Sequence, residues 1–122
     1  MGLFDTTQLG LEQALSGAAL RQRAIANNIA NANTAGFKRS DVDFHSALQT
    51  AFDSPDAADR VKNLSFSPQQ DTATSTRADG NNVDIDTEMA NLSENSLEYQ
   101  SLVTVARSRM QMLQIAMGTR TA

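Results

Sequence analysis

Residues with catalytic or metal-binding chemistry are few in this sequence and lie far apart. The chain of 122 residues has one histidine, His45, and no cysteine. A lone imidazole, without a second histidine or a thiolate, forms neither a zinc site nor a pairing of nucleophile and base. The lack of cysteine also rules out a disulfide framework. We therefore expect His45 to have a surface or packing role.

The densest group of possible metal ligands is acidic and lies between residues 79 and 88. Asp79 and Asn81 match the first two ligand positions of the calcium-loop pattern D-x-[DN]-x-[DN]-G. The following positions hold Val83 and Asp84, so the glycine that the turn requires is missing. Capping of a helix start by Asp84 is a sufficient explanation for the acidic group. We expect no metal site.

Other binding chemistries are excluded by motif and by charge. The six glycines form neither GxGxxG nor GxxxxGK[ST], so a phosphate-binding loop is not encoded. A formal net charge of -4 argues against nucleic acid, whose phosphates require a basic protein surface. We therefore expect no enzymatic activity, no cofactor and no nucleic-acid partner.

Length and composition predict one domain, residues 1–122, with a thin core. Apolar residues make up 40% of the chain and aromatic residues 5%, without tryptophan. The first basic residue is Arg21, so the start of the sequence lacks the basic and apolar regions of a signal peptide. No run approaches the about 20 apolar residues that span a bilayer. We expect no direct membrane insertion, and export only by a route that reads no cleaved leader.

The elements that must carry any function are two terminal helices. Over residues 7–32, apolar residues recur at alternating spacings of four and three, with Gln22 in the remaining position. This seam consists of Leu11, Leu15, Ala18, Ile25, Ile29 and Ala32. Gly10 and Gly17 each weaken an isolated helix by roughly 1 kcal/mol relative to alanine. The asparagine-rich end and Gly36 predict the helix stop.

The C-terminal segment, residues 83–118, carries the stronger pattern. The alternation begins at Ile85 and passes through one polar position, Ser96. Its apolar members are Met89, Leu92, Tyr99, Val103, Ala106, Met110, Leu113 and Met117. Asp84 is the predicted N-cap, and Gly118 is the predicted end. At 1.5 Å per residue, such a helix is about 50 Å long.

The middle, residues 33–82, differs in kind. Asp43 is placed to cap a short helix in which Phe44, Leu48 and Phe52 align on one side. The stretch that follows, residues 54–82, is polar and has little to bury, which predicts a long and partly disordered linker. The sequence thus predicts an all-α protein in which two long terminal helices form a coiled-coil-like hairpin, joined by a turn, the short helix and this linker.

The apolar seams allow two interpretations. Such spacing is equally typical of the buried face of a helical hairpin and of a surface for assembly. The linker is too polar to cover the apolar seam of so long a helix. We therefore expect another molecule to cover it. A soluble helical adaptor that binds a partner through the exposed seam remains an alternative.

Residues 26–39 resemble the N-terminal signature of the flagellar rod and hook family. The match is carried by Asn28, Ile29, Asn31, Asn33, Thr34, Gly36 and Phe37. Residues 83–90 and 95–99 look like the corresponding C-terminal region of the proximal rod members. Residues 34–39 are closer to the distal rod and hook members, which leaves another short rod subunit as an alternative.

The resemblance implies a structural subunit of the proximal rod of the bacterial flagellar basal body, in the periplasmic space. Such subunits assemble helically through their terminal helices and form part of a drive shaft and export channel. The implied partners are copies of the chain, other rod proteins with the basal-body base, and the flagellar type III export apparatus, which reads no cleaved signal. The expected subunit interface comprises Leu11, Leu15, Ala18, Ile25, Ile29, Met89, Leu92, Tyr99, Val103, Ala106, Met110, Leu113 and Met117.

Overall fold

The computed structural model describes the backbone of residues 3–118 and the side chains from Thr6 onward. Most of the described chain is helical. In chain order the elements are α1 Leu3–Ala30, β1 Ser40–Asp41, α2 Phe44–Phe52, α3 Ala57–Lys62, β2 Gln69–Gln70 and α4 Ile85–Ala116. None of the helices in this described part is long and apolar enough to cross a membrane.

The two terminal helices make the most extensive contact between elements. They run antiparallel, because Asn28 near the end of α1 meets Glu88 near the start of α4, while Ala18 meets Asn95 further along. The 28 residues of α1 begin four residues before the predicted start. The 32 residues of α4 fall within the predicted 83–118 range.

The ends of α4 follow the sequence signals. The Asp84 carboxylate accepts hydrogen bonds from the backbone N–H groups of Asp86 at 3.0 Å and Thr87 at 3.4 Å, which confirms the predicted N-cap. After the helix, Gly118 has a φ of 75°, a left-handed conformation that glycine adopts at little cost.

Helix α2 packs its aromatic side against two glycines of α1. Asp43 caps the helix, as predicted, by accepting from the Ser46 backbone N–H at 3.3 Å. A Cβ added at Gly17 would lie 2.6 Å from the Phe44 side chain, and one added at Gly10 would lie 2.4 Å from the Phe52 ring. The two glycines that weaken α1 as an isolated helix are therefore what lets α2 approach it.

The predicted partly disordered linker is not confirmed, because residues 54–82 contain α3 and β2. The Gln13 side chain donates to the backbone carbonyls of Val61 at 2.9 Å and Leu64 at 3.0 Å, which fixes the end of α3 on α1. Strand β2 pairs antiparallel with β1, with Ser40 opposite Gln70 and Asp41 opposite Gln69. Specific hydrogen bonds to backbone groups order this segment although it has little apolar surface to bury.

The core is small, as the composition predicts. Its fully buried cluster contains Ala18, Ala24, Val42 and Phe44. Phe66 from the middle segment packs edge-on against Phe44, with ring centroids 6.3 Å apart. His45 lies half exposed at the edge of this core and pairs with Glu98 of α4. A core of this size leaves much of α4 uncovered.

Candidate subunit interface

The asparagine-rich segment at the end of α1 begins with Asn27 and Asn28, and Asn28 is fully buried. Its side-chain amide donates to the Ser40 carbonyl at 2.7 Å, and its amide oxygen accepts from the Ser40 backbone N–H at 2.9 Å. The same amide donates to the Glu88 carboxylate at 3.2 Å. Asn28 therefore joins α1, β1 and α4 at one point.

Glu88 is fully buried and is neutralised by Arg39, whose guanidinium bonds to its carboxylate. Arg39 also pairs with Asp71 at 3.1 Å, and its backbone N–H donates to the Asn82 side chain at 2.7 Å. Burial lowers the pKa of Arg39, but the hydrogen bond to Glu88 and the neighbouring carboxylates together outweigh it and raise that pKa. This buried ion pair ties β1 and the middle segment to the start of α4.

Asn81 binds the turn that follows α1. Its side-chain amide donates to the carbonyls of Asn31 at 2.9 Å, Ala32 at 3.1 Å and Thr34 at 2.8 Å. Its amide oxygen accepts from the Val83 backbone N–H at 2.7 Å. These carbonyls belong to the turn that follows α1, beyond Ala30, and Asn81 thereby holds this turn against the loop before α4. Sequence reasoning missed this role, because a contact from 50 residues away leaves no local pattern.

Two glycines meet where the turn after α1 touches the loop before α4. Gly36 has a φ of 75° and Gly80 a φ of 84°, and a Cβ added at Gly80 would lie 3.3 Å from the Gly36 Cα. The Gly36 N–H donates to the Asp79 carbonyl at 2.8 Å, and the Lys38 ammonium bonds to the Gly80 carbonyl. The left-handed backbone favours glycine at both positions, and the close approach adds a steric reason at Gly80 only.

The signature residues divide into a buried and an exposed group. Asn28 is buried, and Ile29, Asn31 and Phe37 are half-buried. The exposed members are Asn33, Thr34 and Gly36. Asn28 holds the junction of α1, β1 and α4, whereas Asn33, Thr34 and Gly36 form the outer surface of the turn.

The side of α4 that faces α1 carries polar residues. Glu88 and Asn95 lie seven residues apart and are both fully buried. The Asn95 amide donates to the Ala18 carbonyl and to the Gln22 side chain, both at 2.8 Å. Gln22 in turn donates to the Ser96 hydroxyl at 3.1 Å. Contacts within the chain therefore use a side of α4 that is polar at Glu88 and Asn95 and apolar at Leu102, which packs against the core.

The predicted interface residues of α4 form what we call the α4 stripe: Met89, Leu92, Tyr99, Val103, Ala106, Met110, Leu113 and Met117. Met89 is 48% exposed, Met110 50% and Met117 72%. Tyr99 is also exposed, and the other four members are half-buried. Tyr99 borders a groove of about 430 Å³ between α1 and α4, lined also by Ala19, Gln22, Arg23, Ser96 and Gln100.

The predicted interface residues of α1 are less available. Ala18 and Ile25 are fully buried within the chain, which leaves them no surface for a neighbouring molecule in this conformation. Leu11, Leu15 and Ile29 are half-buried. The described residues 3–118 contain no group of three or more side chains able to hold a metal ion.

Comparison with known proteins connects this arrangement with one family. A sequence profile described as "Flagella basal body rod protein" matches residues 11–38, which include most of α1 and the turn. A relative from Bacillus subtilis (strain 168) is 39% identical over 113 residues, which cover 84% of this chain and 86% of the relative. The chain therefore belongs to the flagellar basal body rod protein family.

The relatives also agree on the member of that family. The Bacillus subtilis relative is a flagellar basal body rod protein FlgB. A FlgB from Yersinia enterocolitica is 34% identical, with 77% of this chain and 80% of the relative covered. A FlgB from Borreliella burgdorferi is 36% identical, with 71% and 77% covered. Within the family, this chain is similar to FlgB proteins over most of its length.

Proposed function

We propose that this chain, a structural subunit of the flagellar basal body rod, assembles with copies of itself and with other rod proteins through the α4 stripe. The observation that carries the proposal is the exposure of Met89, Met110 and Met117 along one side of a 32-residue helix. Apolar area exposed on this scale is stabilised by packing against another molecule. The similarity to FlgB over most of the chain supports another rod subunit as that molecule.

The division of α4 into two sides supports this role. The polar side, with Glu88 and Asn95, finds its partners within the chain. The α4 stripe is covered only in part by the described residues, since Met89, Met110 and Met117 are between 48% and 72% exposed. A subunit built this way uses polar contacts within the chain and leaves Met89, Met110 and Met117 exposed for assembly.

The finer parts of the proposal follow from the family resemblance. The subunits stack helically in the proximal rod around an export channel, in the periplasmic space, and contact the basal-body base. They arrive through the flagellar type III export apparatus. The role is mechanical and not catalytic, and the exposed turn at Asn33, Thr34 and Gly36 is suited to contact a neighbouring subunit.

A charge placed on the α4 stripe tests the proposal. Met110→Asp would bury a carboxylate against neighbouring chains, at a cost of several kcal/mol. The matched control is Gln111→Asp, which adds the same charge at the adjacent exposed position off the stripe. Each variant is expressed in a strain without the native copy, and swimming, rod assembly and cellular protein level are measured.

We expect Met110→Asp to abolish rod assembly and swimming at a normal protein level, and Gln111→Asp to preserve both. Normal swimming of Met110→Asp would show that the stripe is not an interface. Recovery of Met110→Asp in a stable soluble complex with a partner outside the rod would favour the helical adaptor instead.

A further inference from the structure

The methionine side chains of this chain, apart from Met1, lie in α4 or directly after it. Besides Met1, its methionines are Met89, Met110, Met112 and Met117. They are between 48% and 72% exposed, and the sequence has no cysteine that would compete for an oxidant. Exposed thioethers are the side chains that peroxides oxidise most readily when no thiolate is present.

We propose that Met89, Met110 and Met117 form a modification site at which peroxide oxidation blocks assembly of the free subunit. This inference rests on the proposed function, because it requires the α4 stripe to be the packing surface. Packing in turn covers the three thioethers and protects them. Oxidation therefore acts on a subunit before it is incorporated and spares one that is already packed.

The chemistry is a two-electron oxygen transfer. The thioether sulfur attacks one peroxide oxygen, the O–O bond breaks, and a sulfur–oxygen bond forms. The second peroxide oxygen leaves as water after proton transfer, so the sulfur is oxidised by two electrons and the peroxide is reduced by two. The product is methionine sulfoxide, a polar and chiral side chain that disrupts methionine-rich contacts.

The methionines differ in their position relative to the α4 stripe. Met89, Met110 and Met117 are spaced by multiples of seven residues, which places them on one side of the helix. Met112 follows Met110 by two residues and so lies about 200° around the helix, off the α4 stripe. It is 60% exposed, so it is accessible to the same oxidant. Comparison with Met112 therefore tests whether an effect of oxidation is specific to the α4 stripe.

The experiment first measures oxidation itself. The purified full chain is treated with hydrogen peroxide, and peptide mass spectrometry follows the gain of one oxygen atom at each methionine. We expect all four methionines of α4 to be oxidised in the free subunit. In isolated basal bodies treated in the same way, Met89, Met110 and Met117 should be protected. Equal oxidation in both samples would overturn the inference.

Glutamine then serves as a stable polar mimic of the sulfoxide. We expect Met110→Gln to lower incorporation into basal bodies by about tenfold or more, since a polar atom loses its hydration without a partner there. Met112→Gln should change incorporation less than about twofold. Normal incorporation of Met110→Gln, or an equal loss in Met112→Gln, would contradict the proposal.

The triple variant Met89→Leu/Met110→Leu/Met117→Leu keeps the stripe apolar and removes its thioethers. A peroxide pulse during subunit synthesis should lower incorporation of the wild-type chain and leave the triple variant unaffected. An equal loss in both would place the damage elsewhere in the cell. If the oxidised chain assembles and Met110→Asp does not, the oxidation proposal is wrong and the proposed function stands. If Met110→Asp assembles normally, both the oxidation proposal and the proposed function are wrong.

Discussion

Asn28 of α1 and Glu88 of α4, 60 residues apart in sequence, share a buried hydrogen bond of 3.2 Å. The bond joins the first signature residue to the one buried carboxylate of α4, which Arg39 neutralises. The end of α1 is thereby fixed against the start of α4. This junction therefore fixes the position of the start of α4 relative to α1.

The ion pair at that junction gives the first prediction. Glu88→Ala leaves the Arg39 guanidinium and the Asn28 amide without their shared acceptor, so we expect unfolding free energy to fall by about 3–5 kcal/mol. Urea denaturation followed by circular dichroism measures the change. Glu94→Ala, at an exposed position of the same helix, should cost less than about 0.5 kcal/mol. A similar loss in both variants would mean that the pair contributes little.

The hydrogen bonds of Asn81 give the second prediction. Asn81→Ala removes one hydrogen-bond donor from each of three carbonyls in the turn after α1, and also the acceptor of the Val83 N–H. We expect a loss of about 2–3 kcal/mol, because these backbone groups lie in a buried site. Asn63→Ala, which removes an exposed bond to the Asp59 carbonyl, is the matched control and should change stability by less than about 0.5 kcal/mol. Equal urea denaturation midpoints for Asn81→Ala and Asn63→Ala would show that the Asn81 hydrogen bonds do not stabilise the fold.

The packing of Phe44 on α1 gives the third prediction. Alanine favours helix over glycine by about 1 kcal/mol, so Gly17→Ala would stabilise an isolated α1. In the folded chain the added methyl group would lie 2.6 Å from Phe44, and we expect a net loss of about 1–3 kcal/mol. Ser16→Ala, at the exposed neighbouring position, should be neutral or slightly stabilising. A higher melting temperature for Gly17→Ala would show that α2 moves aside without cost.

The carboxylate of Asp41 gives the fourth prediction, on pH. Burial raises the pKa of Asp41, but the hydrogen bond from Arg21, the Val42 N–H and the nearby guanidinium charges outweigh it and lower that pKa. A carboxyl group whose pKa is lower in the folded state stabilises the fold above its unfolded pKa of about 3.9. That stability is lost as the pH falls from about 5 through the folded pKa. Urea midpoints measured between about pH 6 and pH 2 should therefore fall less steeply for Asp41→Asn than for the wild type.

Asp59→Asn provides the comparison, since Asp59 is exposed in α3 and accepts no hydrogen bond from an arginine side chain in the described structure. Its pH profile should follow the wild type. If Asp41→Asn also follows the wild type, the bond between Arg21 and Asp41 does not contribute to acid sensitivity.

Several elements could be read directly from the sequence because their signals are local. The caps at Asp43 and Asp84 and the stop at Gly118 each depend on residues within one turn of the helix end. The alternation from Met89 to Met117, apolar except at Ser96, likewise requires only the periodicity of one helix. The signature from Asn28 to Phe37 identified the family for the same reason, since it is contiguous.

The side of α4 that α1 covers could not be read in this way. Apolar periodicity located the α4 stripe, but the residues that face α1 include Glu88 and Asn95, which a rule based on hydrophobicity assigns to solvent. Their burial depends on acceptors and donors at Asn28, Ala18 and Gln22, which lie at least 60 residues away in the chain. Such pairings exist only once the helices are side by side.

The sequence by itself determined the two long helices, most of their ends and the family. Only the tertiary structure decided that Gly10 and Gly17 admit the rings of α2, and that the polar segment around Asp71 and Asn81 is held in place. The physical reason is the range of the interactions. Helix propensity, capping and periodicity act within a few residues, whereas close packing and buried hydrogen bonds join groups that are brought together only by the complete fold.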